Sequence, residues 1–280
     1  MAFAAWKSTG GSAKPVAMPA RTDPYELGDG PEAALLVHGL SGSPYELRPL
    51  AEGLAAAGFR CTVPLLPGHG SDASRLATVG EADWLAAAHD ALDAILARGH
   101  KRVFLAGFSM GGCLAIRVAA ERPGDLAALA LLAPALTLHG SSAIYRHLFR
   151  HRLPARIVPM VGKGSMDVSD EAVKREAPYL ARLPTGAAAQ LHRVIQGAKA
   201  ALPQVRTPAI VLWGAKDAVV PRRAAERAAK GLGSGPARLA IFPASAHQLA
   251  LDLEREAVAA EVARFFSVFV RAQAQASGEA

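Results

Sequence analysis

The stretch "FLAGFSMGG" (Phe104–Gly112) carries the pattern Gly107-x-Ser109-x-Gly111. Between a strand and a helix this spacing makes a turn so sharp that the positions around the serine must be small, and it lifts the serine hydroxyl out of the backbone. The pattern alone is weak evidence, because a chain rich in glycine and serine meets it by chance. Its neighbours decide. "RVFLAG" (Arg102–Gly107) before it is a short apolar run, and "GGCLAIRVAA" (Gly111–Ala120) after it has helical character. Ser109 thus falls where an exposed nucleophile would be held.

The same alternation extends in both directions. The runs "AALLVH" (Ala33–His38), "FRCTV" (Phe59–Val63), "LAALALLAP" (Leu126–Pro134), "AIVLWG" (Ala209–Gly214) and "RLAIFP" (Arg238–Pro243) read as buried strands. Helical patterns separate most of them. Ser43-Pro44-Tyr45-Glu46 reads as a capping box with proline at the first helical position, followed by Leu47, Leu50 and Leu54 on one face and a stop at Gly58. Trp84, Ala88, Leu92 and Ile95 mark a second helix ending at Gly99, and Val258, Val262, Phe265 and Phe269 mark a C-terminal one. Strands alternating with amphipathic helices predict an α/β fold, a largely parallel sheet with helices on both faces.

One segment breaks the rhythm. Residues 136–205 carry helix-like patches, scattered prolines and the cationic run "YRHLFRHRLPAR" (Tyr145–Arg156), but no confident strand. A segment this long is not a simple loop in a compact domain, so an inserted helical cap is expected there. The core is then 22–135 and 206–280, and residues 1–21, rich in small residues and proline without periodicity, read as a flexible lead-in.

Composition excludes several classes. The net charge is +7, but the basic residues are dispersed and aromatics make up only 6%, so no nucleic-acid platform is present. No apolar run reaches the about 18 residues of a membrane span, and the N-terminal stretch lacks the regions of a secretory signal. Cys61 and Cys113, far apart in apolar segments, read as buried thiols and not as a disulfide framework. A cytoplasmic protein is expected.

A neutral serine is a poor nucleophile without a histidine to take its proton and a carboxylate to orient that histidine. In open parallel sheets such groups follow the carboxyl ends of strands. Asp217, in "VLWGAKDAVVP", and His247, in "FPASAHQLALD", each lie just beyond a strand, and the chain order Ser, Asp, His is the one associated with this turn. His89 and His100 lie on or beside helices, and His192 lies in the expected cap. Asp252 is a rival acid, close after His247; Asp217 is preferred for its place directly after a strand. An oxyanion also needs backbone donors. The Met110 amide opens the following helix, and Leu40, in "HGLSGSP" after the first run, is placed to offer the second.

Together "LLVHGLSGSP", "PLLPGHG", "GFSMGG", "LWGAKDAVVP" and "SAHQLALD" resemble the α/β-hydrolase superfamily, and within it the bacterial carboxylesterases and monoacylglycerol lipases with a small cap. The resemblance runs from about Tyr25 to Phe269 and fades in the cap and the lead-in. It implies Ser109 as nucleophile, His247 as base, Asp217 as its orienter and the amides of Leu40 and Met110 as the oxyanion hole. It also implies hydrolysis of short- to medium-chain esters, monoglycerides included, through an acyl-enzyme on Ser109. The expected partner is a small-molecule ester; no cofactor, metal, nucleic acid or stable membrane insertion is implied. The protein would be a monomer or homodimer, with lipid-surface contact through the cap left open. A thioesterase, an acyltransferase or a non-catalytic ligand-binding hydrolase fold would show the same motifs.

Overall fold

The computed structural model describes residues 22–70, 72–139, 160–162 and 164–277. A three-residue strand, β1 (Tyr25–Leu27), comes first, and the apolar runs then supply β2 (Glu32–Val37), β3 (Phe59–Val63), β4 (Val103–Phe108) and β5 (Leu126–Leu132). Two short strands follow, β6 (Met160–Gly162) and β7 (Arg182–Pro184), before β8 (Ala209–Gly214) and β9 (Arg238–Phe242) complete the set. The main sheet has the order β1-β3-β2-β4-β5-β8-β9 and is parallel except for the pairing of β1 with β3. β4, β5 and β8 are buried along their whole length, as strands covered on both faces must be.

The helices are α1 (Arg48–Ala56), α2 (Glu81–Leu96), α3 (Met110–Glu121), α4 (Glu171–Glu176), α5 (Thr185–Ala201), α6 (Arg222–Gly231) and α7 (Arg255–Ser277). α1 packs on α7, while α2 and α5 pack on α3. Phe266 of α7 meets Phe59 and Phe104 of the sheet, with ring centroids 5.9 Å and 4.9 Å away, and Phe59 and Phe104 stand 5.2 Å apart edge to face. This aromatic knot fastens α7 to the centre of the sheet.

Three details differ from the sequence reading. β1 went unseen because it is three residues long with an exposed middle residue, so no apolar run announces it. The segment 136–205, read as strand-free, contains β6 and β7, paired antiparallel with Val161 opposite Leu183. Ser43-Pro44-Tyr45-Glu46 is no capping box: Pro44–Leu47 is a 3-10 turn leading into α1, and Ser43 makes no side-chain cap bond. Glu46 points inward, where its carboxylate accepts the Gly39 amide at 3.2 Å and the Gln248 side-chain amide at 2.8 Å. Backbone and amide donors in the interior outcompete the helix start for this carboxylate. The lead-in and the cationic run lie outside the described residues.

Phe104 is fully buried at the centre of the aromatic knot. Phe104→Ala is expected to lower the unfolding free energy by about 3–5 kcal/mol, because the cavity is added to the lost transfer energy; urea denaturation checks this.

Candidate active site

Parallel strands end on one edge, and that edge gathers the site. The register sets Val37 opposite Gly107 and Gly107 opposite Leu131, and further along the sheet Gly214 is opposite Phe242. The loops after β2, β4, β8 and β9 therefore rise side by side. They carry Leu40, Ser109, Asp217 and His247.

Ser109 sits at φ 53° and ψ −112°, a backbone that few non-glycine residues adopt. Its N–H donates to Leu132 O at 2.9 Å, and its C=O accepts from Ala135 at 3.1 Å and Cys113 at 3.3 Å. The glycines around it are demanded by contact. A β-carbon on Gly107 would lie 2.3 Å from Gly111 O, and one on Gly111 would lie 2.1 Å from Val37 O. Only glycine lets the turn fold onto the first residues of α3 and lets α3 press against the end of β2.

His247 lies between the other two side chains. Its Nδ1 is 2.9 Å from Asp217 Oδ2 and its Nε2 is 3.0 Å from Ser109 Oγ. Because the carboxylate can only accept, Nδ1 carries the proton and Nε2 is left to accept from the serine hydroxyl. Asp217 is itself aimed: its Oδ1 accepts the N–H groups of Val219 at 2.8 Å and Val220 at 2.7 Å, which turns Oδ2 to the imidazole. Phe108 packs against the His247 ring at 5.0 Å. The structure thus brings together the three residues read from the sequence.

None of the rivals takes the place of Asp217 or His247. Asp252 is fully buried, but its carboxylate accepts the amides of Ser169, Asp170, Ala246 and Leu253. His89 pairs with Glu121 at the surface. His192 lines the same pocket as Ser109.

Beside Ser109, the loop after β2 packs closely enough that a β-carbon on Gly39 would lie 3.4 Å from Ser109 Cβ. His38 holds this loop from beneath. The Leu66 amide donates to its Nε2 at 3.0 Å, so its Nδ1 carries the proton and donates to Gly39 O at 2.9 Å. Burial first, then the neighbouring His69, depresses His38 to about 3, so the ring stays neutral. His38 is a support for the loop.

Ser109 opens into a cavity of about 450 Å³, within the roughly 300–1,000 Å³ range of small-molecule sites. Its lining is mixed: Leu136, Leu138, Leu183, Leu191, Ile195 and Val219 supply apolar surface, and Glu46, Gln248, Asp167 and Tyr179 are among the polar residues. Burial, reinforced by Glu46 and Asp167, pushes the Tyr179 hydroxyl up to about 12, so it remains a neutral hydroxyl. No sequence pattern marks this polar lining: Glu46 sits where a helix cap is expected, and Asp167 lies in a segment without periodicity.

His38 predicts a pH dependence. A histidine held near 3 when folded and near 6.5 when unfolded takes up its proton only in the unfolded chain between those values. Its contribution to stability is complete above about 6.5 and falls as the pH drops from there towards 3, by up to about 1.4 kcal/mol per pH unit. His38→Gln is expected to flatten the slope of unfolding free energy between pH 6 and 4, measured by urea titration.

The family model described as "Serine aminopeptidase, S33" matches residues 31–254. A thermostable monoacylglycerol lipase from Bacillus sp. (strain H-257) is 28% identical over 254 residues, covering 88% of this chain and 94% of the relative. A carboxylesterase from Bacillus subtilis (strain 168) is 21% identical over 242 residues, covering 86% and 95%. A solved structure from work on the metagenome-derived lipolytic enzymes LipS and LipT superimposes with a TM-score of 0.80 at 28% identity, covering 88% of this chain and 98% of that one. The chain belongs to the serine aminopeptidase S33 family and is an α/β-hydrolase similar to the carboxylesterases and monoacylglycerol lipases.

Proposed function

We propose that this carboxylic ester hydrolase acts on esters of short- to medium-chain acids, monoacylglycerols among them, through an acyl-enzyme on Ser109. The observation that carries the reading is the hydrogen-bonded line from Asp217 to His247 to Ser109, 2.9 Å and 3.0 Å, whose last two members line the cavity. Ser109 Oγ attacks the ester carbonyl while His247 Nε2 takes its proton, and Asp217 stabilises the imidazolium that forms. The amides of Leu40 and Met110 hold the oxyanion. Met110 is the first residue of α3, where N–H groups have no acceptor inside the helix, and Leu40 follows the glycine that packs on Ser109. The oxyanion collapses, the alcohol leaves with the proton from His247, and water then releases the acid by the same route.

The mixed lining suits an amphipathic ester, with acyl carbons on the leucines and a hydroxylated alcohol near Glu46, Gln248 and Tyr179. Among the described residues the lining holds Glu46 and Asp167 but no lysine or arginine, a setting that favours neutral esters over anionic acyl-CoA thioesters. The segment 136–205 acts in this reading as a cap that forms one side of the cavity.

Ser109→Ala is expected to lower ester turnover by more than about 1000-fold while the thermal midpoint stays put. Intact-mass analysis should show one fluorophosphonate adduct, mapped to Ser109 and absent in His247→Ala; no adduct on the wild type would defeat the reading. Across p-nitrophenyl esters kcat/KM should peak at short or medium chains and exceed that for the matching acyl-CoA. A preference for long chains or for thioesters would redirect the assignment.

A further inference from the structure

Asp217 and His247 stand on two separate loops, so their 2.9 Å contact depends on what holds those loops at a fixed distance. Every backbone N–H around the histidine is engaged. Ala246 donates to Asp252 Oδ2 at 2.6 Å, His247 to Asp167 Oδ2 at 3.3 Å and Gln248 to Asp167 O at 3.0 Å. On the other loop, Val219 and Val220 donate to Asp217 itself, and the amide just before them, Ala218, donates to Asp167 Oδ2 at 2.9 Å. One oxygen of Asp167 thus accepts from the residue after the acid and from the base.

Asp167 is well placed to act as a fixed point. It lies between β6 and α4, and the residues just after it are pinned to the core. The Ser169 and Asp170 amides both donate to buried Asp252, and Asp170 pairs with Arg255 at 2.8 Å. The chain of contacts runs from the start of α7 through Asp252 to the 167–170 segment, and from there to both loops of the site.

We propose that Asp167 is a positioning residue for the reaction: its carboxylate ties the Asp217 loop to the His247 loop and sets the separation of the acid and the base. The proposal concerns the assignment of Ser109, Asp217 and His247 made above and rests on it. A single acceptor shared by two N–H groups fixes the relative position of two backbones in a way apolar packing, which has no direction, does not. Without it the imidazole gains freedom relative to Ser109, and a misplacement of about 1 Å costs on the order of 100-fold in rate.

The test compares the full-length wild type with Asp167→Ala and Asp167→Asn, the latter keeping an oxygen that can accept both amides. With p-nitrophenyl butyrate, Asp167→Ala should lose about ten- to hundredfold in kcat with KM within about threefold, and Asp167→Asn should recover kcat to within about fivefold. Proton NMR supplies a readout independent of turnover. The low-field signal of the His247 Nδ1 proton should be present in the wild type, broadened or lost in Asp167→Ala and restored in Asp167→Asn. A wild-type kcat and an intact signal in Asp167→Ala would overturn the proposal, as would an Asn variant no better than Ala or a loss carried by KM. If Asp167→Ala does not fold, Asp167→Ser, whose short hydroxyl does not span both amides, replaces it with the same expectations. Should the NMR signal respond as described while no ester is turned over, the tie stands and the ester reading fails.

Discussion

Ser109 is held at φ 53° and ψ −112°, a conformation that costs on the order of 1–3 kcal/mol and persists only where the surroundings over-determine it. The surroundings here are specific. Leu132 of β5 accepts the Ser109 N–H, Ala135 and Cys113 donate to its carbonyl, and Gly107 and Gly111 bring β4, α3 and the end of β2 within backbone contact. Once that turn is set, α3 has one direction to leave in, and the loop after β2 has one place to lie. The positions of Leu40, Asp217 and His247 are all relative to this point.

Around the turn the structure uses two kinds of force for two tasks. The sheet and its helices are held by leucine, alanine, valine and phenylalanine buried on both faces, an attraction that scales with area and carries no direction. It assembles layers but does not place a loop to a few tenths of an ångström. The loops at the carboxyl edge are placed by buried and half-buried polar side chains. His38 holds the loop after β2 to the chain at Leu66, Glu46 joins that loop to Gln248, and Asp252 and Asp167 hold the amides beside His247. His38, Glu46 and Asp252 are desolvated and recover the cost through hydrogen bonds to backbone or amide donors, while Asp167 is half-buried at the cavity.

Much of this was legible in the chain. Buried parallel strands read as apolar runs, glycine marks a turn too tight for a β-carbon, and a nucleophile, an acid and a base that each follow a strand must meet at one edge of the sheet. The α/β architecture and the meeting of Ser109 with Asp217 and His247 follow from those local rules. Other features were hidden for identifiable reasons. β1 is too short and too exposed to make a pattern, and β6 and β7 are three residues each. Glu46 sits three residues after a serine, which mimics a helix start.

The sequence by itself determined the order of the six longer strands, the turn at Ser109 and the identity of the three residues that converge, because each is encoded by near neighbours in the chain or by strand ends. Only the tertiary structure decided which carboxylate near the site serves which purpose. Asp217 faces the imidazole, Asp252 and Asp167 hold backbone amides and Glu46 bridges two loops, although all four are acidic residues among apolar neighbours. The role of a carboxylate is set by the donors that surround it in space. For Asp167 those donors lie 51 and 80 positions away along the chain, a distance over which no local pattern speaks.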